Sequence, residues 1–134
     1  MHKTQSEKLH YHQLWLVIGL SIVCLVIYLS LTTSGVPSMG GLLNDKVSHA
    51  LGYFGLMLWF TQLFRKNTTR TVLACLFVAM GITLEFLQAY GGVRVYEIAD
   101  MVANITGVIL GWFAAALGLD RILQWLEHNW LHKP

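Results

Sequence analysis

Charged side chains are scarce in this sequence of 134 residues. They make up 12% of the chain, about half of their share in an average soluble domain. Hydrophobic residues make up 55% of the chain. A soluble fold of this size could not bury so many apolar side chains, whereas a lipid bilayer can surround them. The composition therefore excludes an ordinary soluble domain and indicates an integral membrane protein.

Cysteine is also scarce, with Cys24 and Cys75 as the two examples. Both lie inside apolar segments, where we expect small buried side chains and neither a disulfide framework nor a zinc site. The net charge of +2 is weak, and the sequence has no basic patch interleaved with aromatic residues. We therefore expect no nucleic acid partner, and we expect no cofactor.

Four apolar segments are each about as long as a helix that crosses the hydrocarbon core of a bilayer, which takes about 20 residues. The C-terminal tail mixes apolar and polar residues and carries Trp125 and Trp130, as amphipathic helices in a membrane interface do. The sequence therefore predicts an all-α integral membrane protein with a single domain over 1–134. The predicted transmembrane helices are 14–32, 45–64, 71–90 and 97–118, and the predicted interfacial helix is 120–134.

Basic residues are distributed unequally among the segments that connect these helices, including a predicted basic loop at 65–70. Seven fall on the side of the N-terminus and two on the opposite side of the membrane. Because Lys and Arg concentrate in cytoplasmic loops, this asymmetry predicts that both termini are cytoplasmic. The seven are Lys3, Lys8, Arg65, Lys66, Arg70, Arg121 and Lys133, and the two are Lys46 and Arg94.

The stretch 85–111 concentrates polar groups at the ends of two apolar segments. Glu85 and Gln88 lie near the end of the third predicted helix, and Arg94 follows in a glycine-containing turn. Asp100 and Asn104 lie in the first turns of the fourth. Ionisable groups at such a depth cost several kcal/mol unless they face protein, water or a ligand. These residues are therefore functional candidates.

The second predicted helix brings more polar side chains to the same face of the membrane. Asp45 and His49 are four residues apart and therefore neighbours on a helix, and Tyr53 lies one turn further on. We expect an outward-facing pocket, acidic at its floor and basic at its rim. A polar network that only fixes the helix register is the alternative. The candidate ligand-binding residues are Asp45, Lys46, His49, Tyr53, Glu85, Gln88, Arg94, Asp100 and Asn104.

The chemistry of this pocket leaves several roles open. His49, Glu85 and Asp100 could exchange a proton near neutral pH, or bind a divalent cation through oxygen and imidazole atoms. The sequence lacks the tight HxxxH or CxxC spacing of a strong metal motif, so we predict no metal. Arg94 and Lys46 suit a phosphate or carboxylate group at the rim.

Two glycines continue the fourth predicted helix beyond its polar start. Gly107 and Gly111 are four residues apart, and small residues at that spacing allow a second helix to approach closely. We expect them to pack against a neighbouring helix, and they also permit a homo-oligomer.

Four short motifs, which follow one another along the sequence, resemble those of the VanZ-like family of small bacterial membrane proteins. The resemblance covers 45–111, and it departs from the family pattern at Glu97, where a neutral residue is more usual. It implies a multi-helix protein of the bacterial cytoplasmic (inner) membrane, and the founding member of the family is associated with resistance to teicoplanin. The motifs are Asp45-Lys46-x-x-His49-x-x-x-Tyr53, Glu85-x-x-Gln88, Gly92-x-Arg94 and Asp100-x-x-x-Asn104-x-x-Gly107-x-x-x-Gly111.

The first functional hypothesis is a non-enzymatic envelope protein. It would bind membrane lipids or a lipid-linked cell-wall precursor and affect teicoplanin susceptibility, as the resemblance implies. One alternative is an intramembrane acid/base enzyme that acts on a lipid head group through His49, Glu85 and Asp100. No nucleophile motif supports this alternative, because Ser48 and His49 are adjacent and point apart on a helix. The other alternative is a subunit of a small transporter.

Overall fold

The computed structural model describes residues 8–32, 45–93 and 95–131, and all regular secondary structure in these ranges is helical. The predicted all-α class is therefore confirmed. The long helices are α1 (His12–Thr32), α2 (Asp45–Leu63), α3 (Asn67–Tyr90) and α4 (Ile98–Ala116). They are followed by a 3-10 turn (Leu119–Arg121), α5 (Ile122–Leu126) and a π turn (Glu127–Leu131).

The central helix is α2, which packs most extensively against α4. A Cβ atom on Gly107 would lie 2.2 Å from the carbonyl oxygen of Ala50. A Cβ atom on Gly111 would lie 2.7 Å from the carbonyl oxygen of Phe54. The two glycines therefore allow α2 and α4 of one chain to touch through their backbones. A second copy of the chain could contact Gly107 and Gly111 only by displacing α2. A homo-oligomer through these two glycines therefore stays a prediction.

The interior and the exterior of the helix bundle are both apolar. Inside, Phe60 of α2 and Phe77 of α3 meet edge to face with ring centroids 5.3 Å apart. Outside, large apolar side chains of α1, α3 and α4 are exposed, which suits contact with lipid chains and not with water. Examples are Val17, Leu20, Val72, Leu76, Ile109 and Phe113.

Three of the four predicted spans are long and apolar enough to cross a membrane: α1, α3 and α4. The second helix does not reach the same hydropathy, because polar residues occupy both of its ends. Its buried residues include Thr61 and Gln62 as well as apolar side chains. The structure agrees with the general prediction of membrane-spanning helices. It does not show the fourth predicted span.

The third helix begins earlier than predicted. It starts at Asn67, inside the segment 65–70 that the sequence predicts as a basic loop. The Arg70 side chain folds back and donates hydrogen bonds to the carbonyl oxygens of Thr61 and Phe64. It also pairs with Asp120 at 2.6 Å. These bonds satisfy carbonyl groups at the end of α2 and make Arg70 a buried residue.

The C-terminal segment packs against the start of α1 through Glu127. The Glu127 carboxylate accepts hydrogen bonds from the backbone N–H groups of His10 and Tyr11 and from the indole of Trp15. The predicted interfacial helix is therefore a short irregular segment with a buried anchor, and its exposed tryptophans are Trp125 and Trp130. Residues 132–134 of the prediction lie outside the described residues.

The cysteines differ from the sequence expectation. Cys24 on α1 and Cys75 on α3 are both free thiols, as predicted, but both are exposed on the outside of the bundle. An apolar segment in a soluble protein is buried by protein, whereas a helix in a bilayer can turn the same residue towards lipid.

Candidate functional site

Most of the predicted site residues lie together at one end of the bundle, where α2 and α4 begin and α3 ends. We use the name polar cluster for Asp45, Lys46, His49, Glu85, Asp100 and Asn104. Asp45 and Asp100 lie in the first turns of α2 and α4, where the positive ends of the helix dipoles favour carboxylates. Glu85, Asp100 and Asn104 are buried, whereas Asp45, Lys46 and His49 are partly exposed.

The short connection between α3 and α4 places their polar ends side by side. α3 ends at Tyr90 and is capped by Gly91, and Gly92 has a φ of +67°, a left-handed conformation that favours glycine. The N–H of Gly92 donates to the carbonyl of Ala89, and the N–H of Val93 donates to that of Gln88. This is the Schellman pattern of helix termination, and it turns the chain back towards the bundle. The predicted glycine stop of the third helix agrees with this geometry.

Lys46 links α2 to the start of α4. Its ammonium group forms ion pairs with Glu97 and with Asp100, the second at 2.6 Å from Nζ to Oδ1. The Asp100 side chain is almost fully buried, so a charge without a nearby cation would be costly there. The sequence predicts that Lys46 contacts a ligand at the rim. In the structure two carboxylates of the chain itself already hold this ammonium group.

His49 lies at the centre of the polar cluster. Its Nδ1 is 3.0 Å from Oδ1 of Asn104 and 4.0 Å from Oε1 of Glu85, and its Nε2 is 3.8 Å from Oδ1 of Asp45. A carboxamide oxygen can only accept a hydrogen bond, so this orientation of Asn104 requires a proton on Nδ1. The other ring nitrogen, Nε2, faces Asp45. The contact with Asn104 thus orients the ring.

Gly81 allows the residues around His49 to approach α3. A Cβ atom on Gly81 would lie 3.1 Å from Nδ2 of Asn104 and 3.3 Å from Cζ of Tyr53. Tyr53 is buried against this region, so its predicted position beside the cluster agrees with the structure. The sequence prediction missed Gly81. The available signal was its spacing of four and seven residues before Glu85 and Gln88, which places all three on one helix face.

Gln88 is a predicted site residue that the structure places away from the polar cluster. Gln88 is buried, but its side-chain amide donates to the backbone carbonyl of Ser30 on α1 at 2.7 Å. Its observed contact therefore joins α3 to α1, whereas the sequence predicts Gln88 among the ligand-binding residues. Arg94 lies outside the described residues, and its predicted role at the rim stays a prediction.

Carboxylates outnumber cations in this part of the described structure. Glu97 and Asp100 contact the Lys46 ammonium group, and Asp45 and Glu85 lie near His49, so the described residues here carry four carboxylates and one ammonium group. Their formal charge is −3 when His49 is neutral. The floor is therefore acidic, as predicted. Its electrostatic complement is a positively charged group.

Three side chains of the cluster are close enough to hold a metal ion together. Asp45, His49 and Asp100 each offer a donor atom, and these atoms lie within 4.8 Å of one another. Oxygen and imidazole donors suit Mn²⁺, Fe²⁺ or Zn²⁺. The hydrogen bond from His49 Nδ1 to Asn104 is the kind of contact that orients an imidazole ligand in metal sites. The residues therefore fit a divalent cation, although the sequence predicts no metal.

These features define a helical bundle with membrane-spanning character and a buried acidic cluster at one end. The chain is 34% identical over 112 residues to a protein of the fission yeast Schizosaccharomyces pombe, described as "Uncharacterized protein C11E3.10". The alignment covers 81% of this chain and 67% of the yeast protein. The chain belongs to the same protein family as this yeast protein. No family model matches the sequence, and no solved structure matches it.

The relationship corrects the predicted location. The sequence resemblance implies the inner membrane of a bacterium, and this prediction is wrong because the relative is a protein of a eukaryote. The same prediction placed both termini in the bacterial cytoplasm, and this placement is withdrawn together with the bacterial location. The coarser statement that remains is that three helices have the length and composition to cross a membrane.

Proposed function

We propose that this chain is a VanZ-like multi-pass membrane protein that binds the polar head group of a membrane lipid at the polar cluster. The observation that carries the proposal is the acidic cluster itself, partly buried at one end of a bundle whose outer surface is apolar. A lipid chain can lie along that outer surface while its head group reaches the cluster. Teicoplanin susceptibility and a lipid-linked cell-wall precursor stay predictions from the family resemblance.

In this proposal α2 is a fourth transmembrane helix. Its 19 residues extend over about 28 Å, close to the thickness of the hydrocarbon core of a bilayer. Its position between the other long helices supports the proposal, because they surround its polar groups with protein. Gln62, for example, accepts a hydrogen bond from the backbone N–H of Leu123 at 2.8 Å.

The charge of the cluster indicates which head group it would select. Lys46 is already paired with Glu97 and Asp100, so it is poorly placed to attract a phosphate. Asp45 lies beside Nε2 of His49 and Glu85 lies beside Nδ1, and both carboxylates can accept hydrogen bonds from an ammonium group. We therefore favour a lipid with a primary ammonium group, such as phosphatidylethanolamine, over a purely anionic lipid.

Native mass spectrometry of the protein in mixed-lipid nanodiscs tests this selection. The discs would contain phosphatidylcholine with a small amount of phosphatidylethanolamine and no anionic lipid. We expect wild-type protein to retain phosphatidylethanolamine preferentially, and Asp45→Asn to lose most of that preference. Arg121→Gln is the matched control, because Arg121 is exposed at the other end of the bundle. Equal retention of phosphatidylethanolamine by the wild-type protein and by Asp45→Asn would refute the proposal.

A divalent cation is a second candidate ligand, favoured by the converging donors of Asp45, His49 and Asp100. Calorimetric titration with Mn²⁺ or Zn²⁺ tests it. His49→Ala should abolish binding, whereas Lys46→Gln should strengthen it because the Lys46 ammonium group competes for Asp100. Binding that neither variant changes would exclude this site. Lipid retention that persists in a chelator would separate a direct ammonium contact from one that needs a metal.

The hypothesis of an acid/base enzyme uses residues of the same cluster, whereas that of a transporter subunit needs a homo-oligomer. The His49 ring between two carboxylates is compatible with proton transfer at a head group. Without a nucleophile or a water-activating group identified beside it, we do not favour catalysis over binding.

A further inference from the structure

A second pocket lies at the opposite end of the bundle, where α1 begins and α2 ends. Its volume is about 400 Å³, which is within the usual range for ligand sites. Gln62 and Leu63 at the end of α2 form part of its wall. Its other lining residues include Lys8, His12, Arg65 and Lys66, so three permanent cations and one titratable group face one cavity. None of the described residues that line it is acidic.

The carboxylates described at this end are already bound elsewhere. Asp120 pairs with Arg70 at 2.6 Å. Glu127 accepts hydrogen bonds from His10, Tyr11 and Trp15. Within the described part of the chain, no carboxylate pairs with Lys8, Arg65 or Lys66. The cavity therefore keeps an uncompensated positive charge.

Arg65 is held in position without being neutralised. One of its terminal nitrogens donates to the side-chain oxygen of Gln124 at 2.6 Å. A carboxamide carries no net charge, so the guanidinium keeps its charge and its remaining donors. A guanidinium fixed in this way suits the oxygens of a phosphate group.

The surroundings of the pocket indicate that an anionic group would come from the membrane. Trp125 and Trp130 are exposed on the C-terminal segment, which packs at this same end of the bundle. Tryptophan rings concentrate at the level of lipid head groups. Basic pockets between helices at that level bind anionic head groups.

We propose that this basic pocket binds the phosphate-bearing head group of an anionic phospholipid. The site is distinct from the polar cluster, it selects the opposite charge, and it does not depend on the function proposed for the cluster. It would anchor the C-terminal segment and the start of α1 to a membrane surface rich in anionic lipid.

The test uses the full chain in phosphatidylcholine nanodiscs that contain a small fraction of phosphatidylglycerol, with retained lipid measured by native mass spectrometry. The main variant is Lys8→Gln with Lys66→Gln. Both lysines are exposed, and their side chains form no hydrogen bond or ion pair within the described residues, so the fold should not change. Each removed charge should lower the preference for phosphatidylglycerol about fivefold, because one basic residue near an anionic surface contributes about 1 kcal/mol.

Two controls separate the pocket from a general attraction between charges. Lys8→Arg with Lys66→Arg should keep the preference. Arg121→Gln removes an exposed charge at the same end but outside the pocket, and it should also leave the preference unchanged. If Arg121→Gln lowers the preference as much per charge as the main variant, or if the main variant has no effect, the proposal is wrong.

A soluble competitor identifies the source of the phosphate. Inorganic phosphate at millimolar concentration should not displace phosphatidylglycerol from the wild-type protein, because a lipid is already concentrated at the pocket by its chains. Displacement by inorganic phosphate alone would show that the pocket recognises a free anion, and it would overturn the assignment to a lipid.

Discussion

Gly107 of α4 lies directly against the backbone of Ala50 of α2, so that a Cβ atom at position 107 would come within 2.2 Å of the Ala50 carbonyl oxygen. The crossing of α2 and α4 therefore depends on the absence of a side chain. This crossing also brings Lys46 and His49 of α2 to Asp100 and Asn104 of α4.

We expect Gly107→Ala to lower the stability of the bundle by about 2 kcal/mol, because the helices must move apart and the backbone cannot yield as a flexible side chain would. Thermal unfolding in mild detergent measures the effect. Gly55→Ala is the matched control, since a Cβ atom at position 55 meets nothing within 4 Å. Equal melting temperatures for the two variants would contradict this packing of α2 and α4.

Glu127 provides a pH-dependent link between the C-terminal segment and α1. Burial raises the pKa of its carboxyl group, but the hydrogen bonds from Tyr11, Trp15 and His10 lower it, and the net pKa lies below the ordinary 4.5. A carboxyl group with a lowered pKa in the folded state contributes stability that is complete above its unfolded pKa. This contribution should disappear as the pH falls below 4.5 and through the folded pKa.

Glu127→Gln should therefore lower the unfolding temperature at pH 7. It should also make the unfolding temperature change less with pH in the acidic range. The expected loss is about 1–3 kcal/mol, because the amide group accepts fewer hydrogen bonds and leaves buried donors without a partner. Melting curves from pH 3.5 to 7 measure both effects. Parallel pH profiles for the variant and the wild-type protein would show that Glu127 is not the titrating group.

Arg70 stabilises the junction of α2, α3 and the C-terminal segment. Arg70→Ala removes two hydrogen bonds to carbonyl groups and leaves Asp120 without its cation. We expect a loss of about 3 kcal/mol, at the lower end of values for breaking a buried ion pair, because Asp120 keeps some exposure. Arg70→Lys should lose less, since it keeps the charge. The exposed Arg121→Ala should change stability by no more than about 0.5 kcal/mol.

The two cysteines report whether α1 and α3 lie in a membrane. Cys24 and Cys75 are exposed on the bundle, well inside helices that have the length and composition of membrane spans. In nanodiscs we expect both thiols to resist a charged maleimide and to react after denaturation in detergent. Thr68→Cys, at an exposed position near the start of α3, should react at once. Rapid labelling of Cys24 and Cys75 in intact discs would argue against these spans.

The amino-acid sequence alone determined the helical class and the positions of the long helices to within a few residues. An apolar run of membrane length must form a helix, since no other open structure satisfies its backbone groups in lipid. The sequence also placed Asp45, His49, Asp100 and Asn104 at one end of the bundle. This was possible because helix spacing and alternating chain direction determine which ends meet.

The tertiary structure alone decided which of these polar groups are partners. Lys46 pairs with carboxylates more than fifty residues away, and Glu127 binds backbone groups of His10 and Tyr11 at separations of 117 and 116 residues. No local spacing encodes such contacts, because they depend on how whole helices cross. The sequence could therefore place Gln88 near the cluster, but it could not predict the hydrogen bond from Gln88 to the carbonyl of Ser30 on α1. The basic pocket arises in the same way, since its cations come from the start of α1 and the end of α2 and share a cavity only after those helices pack.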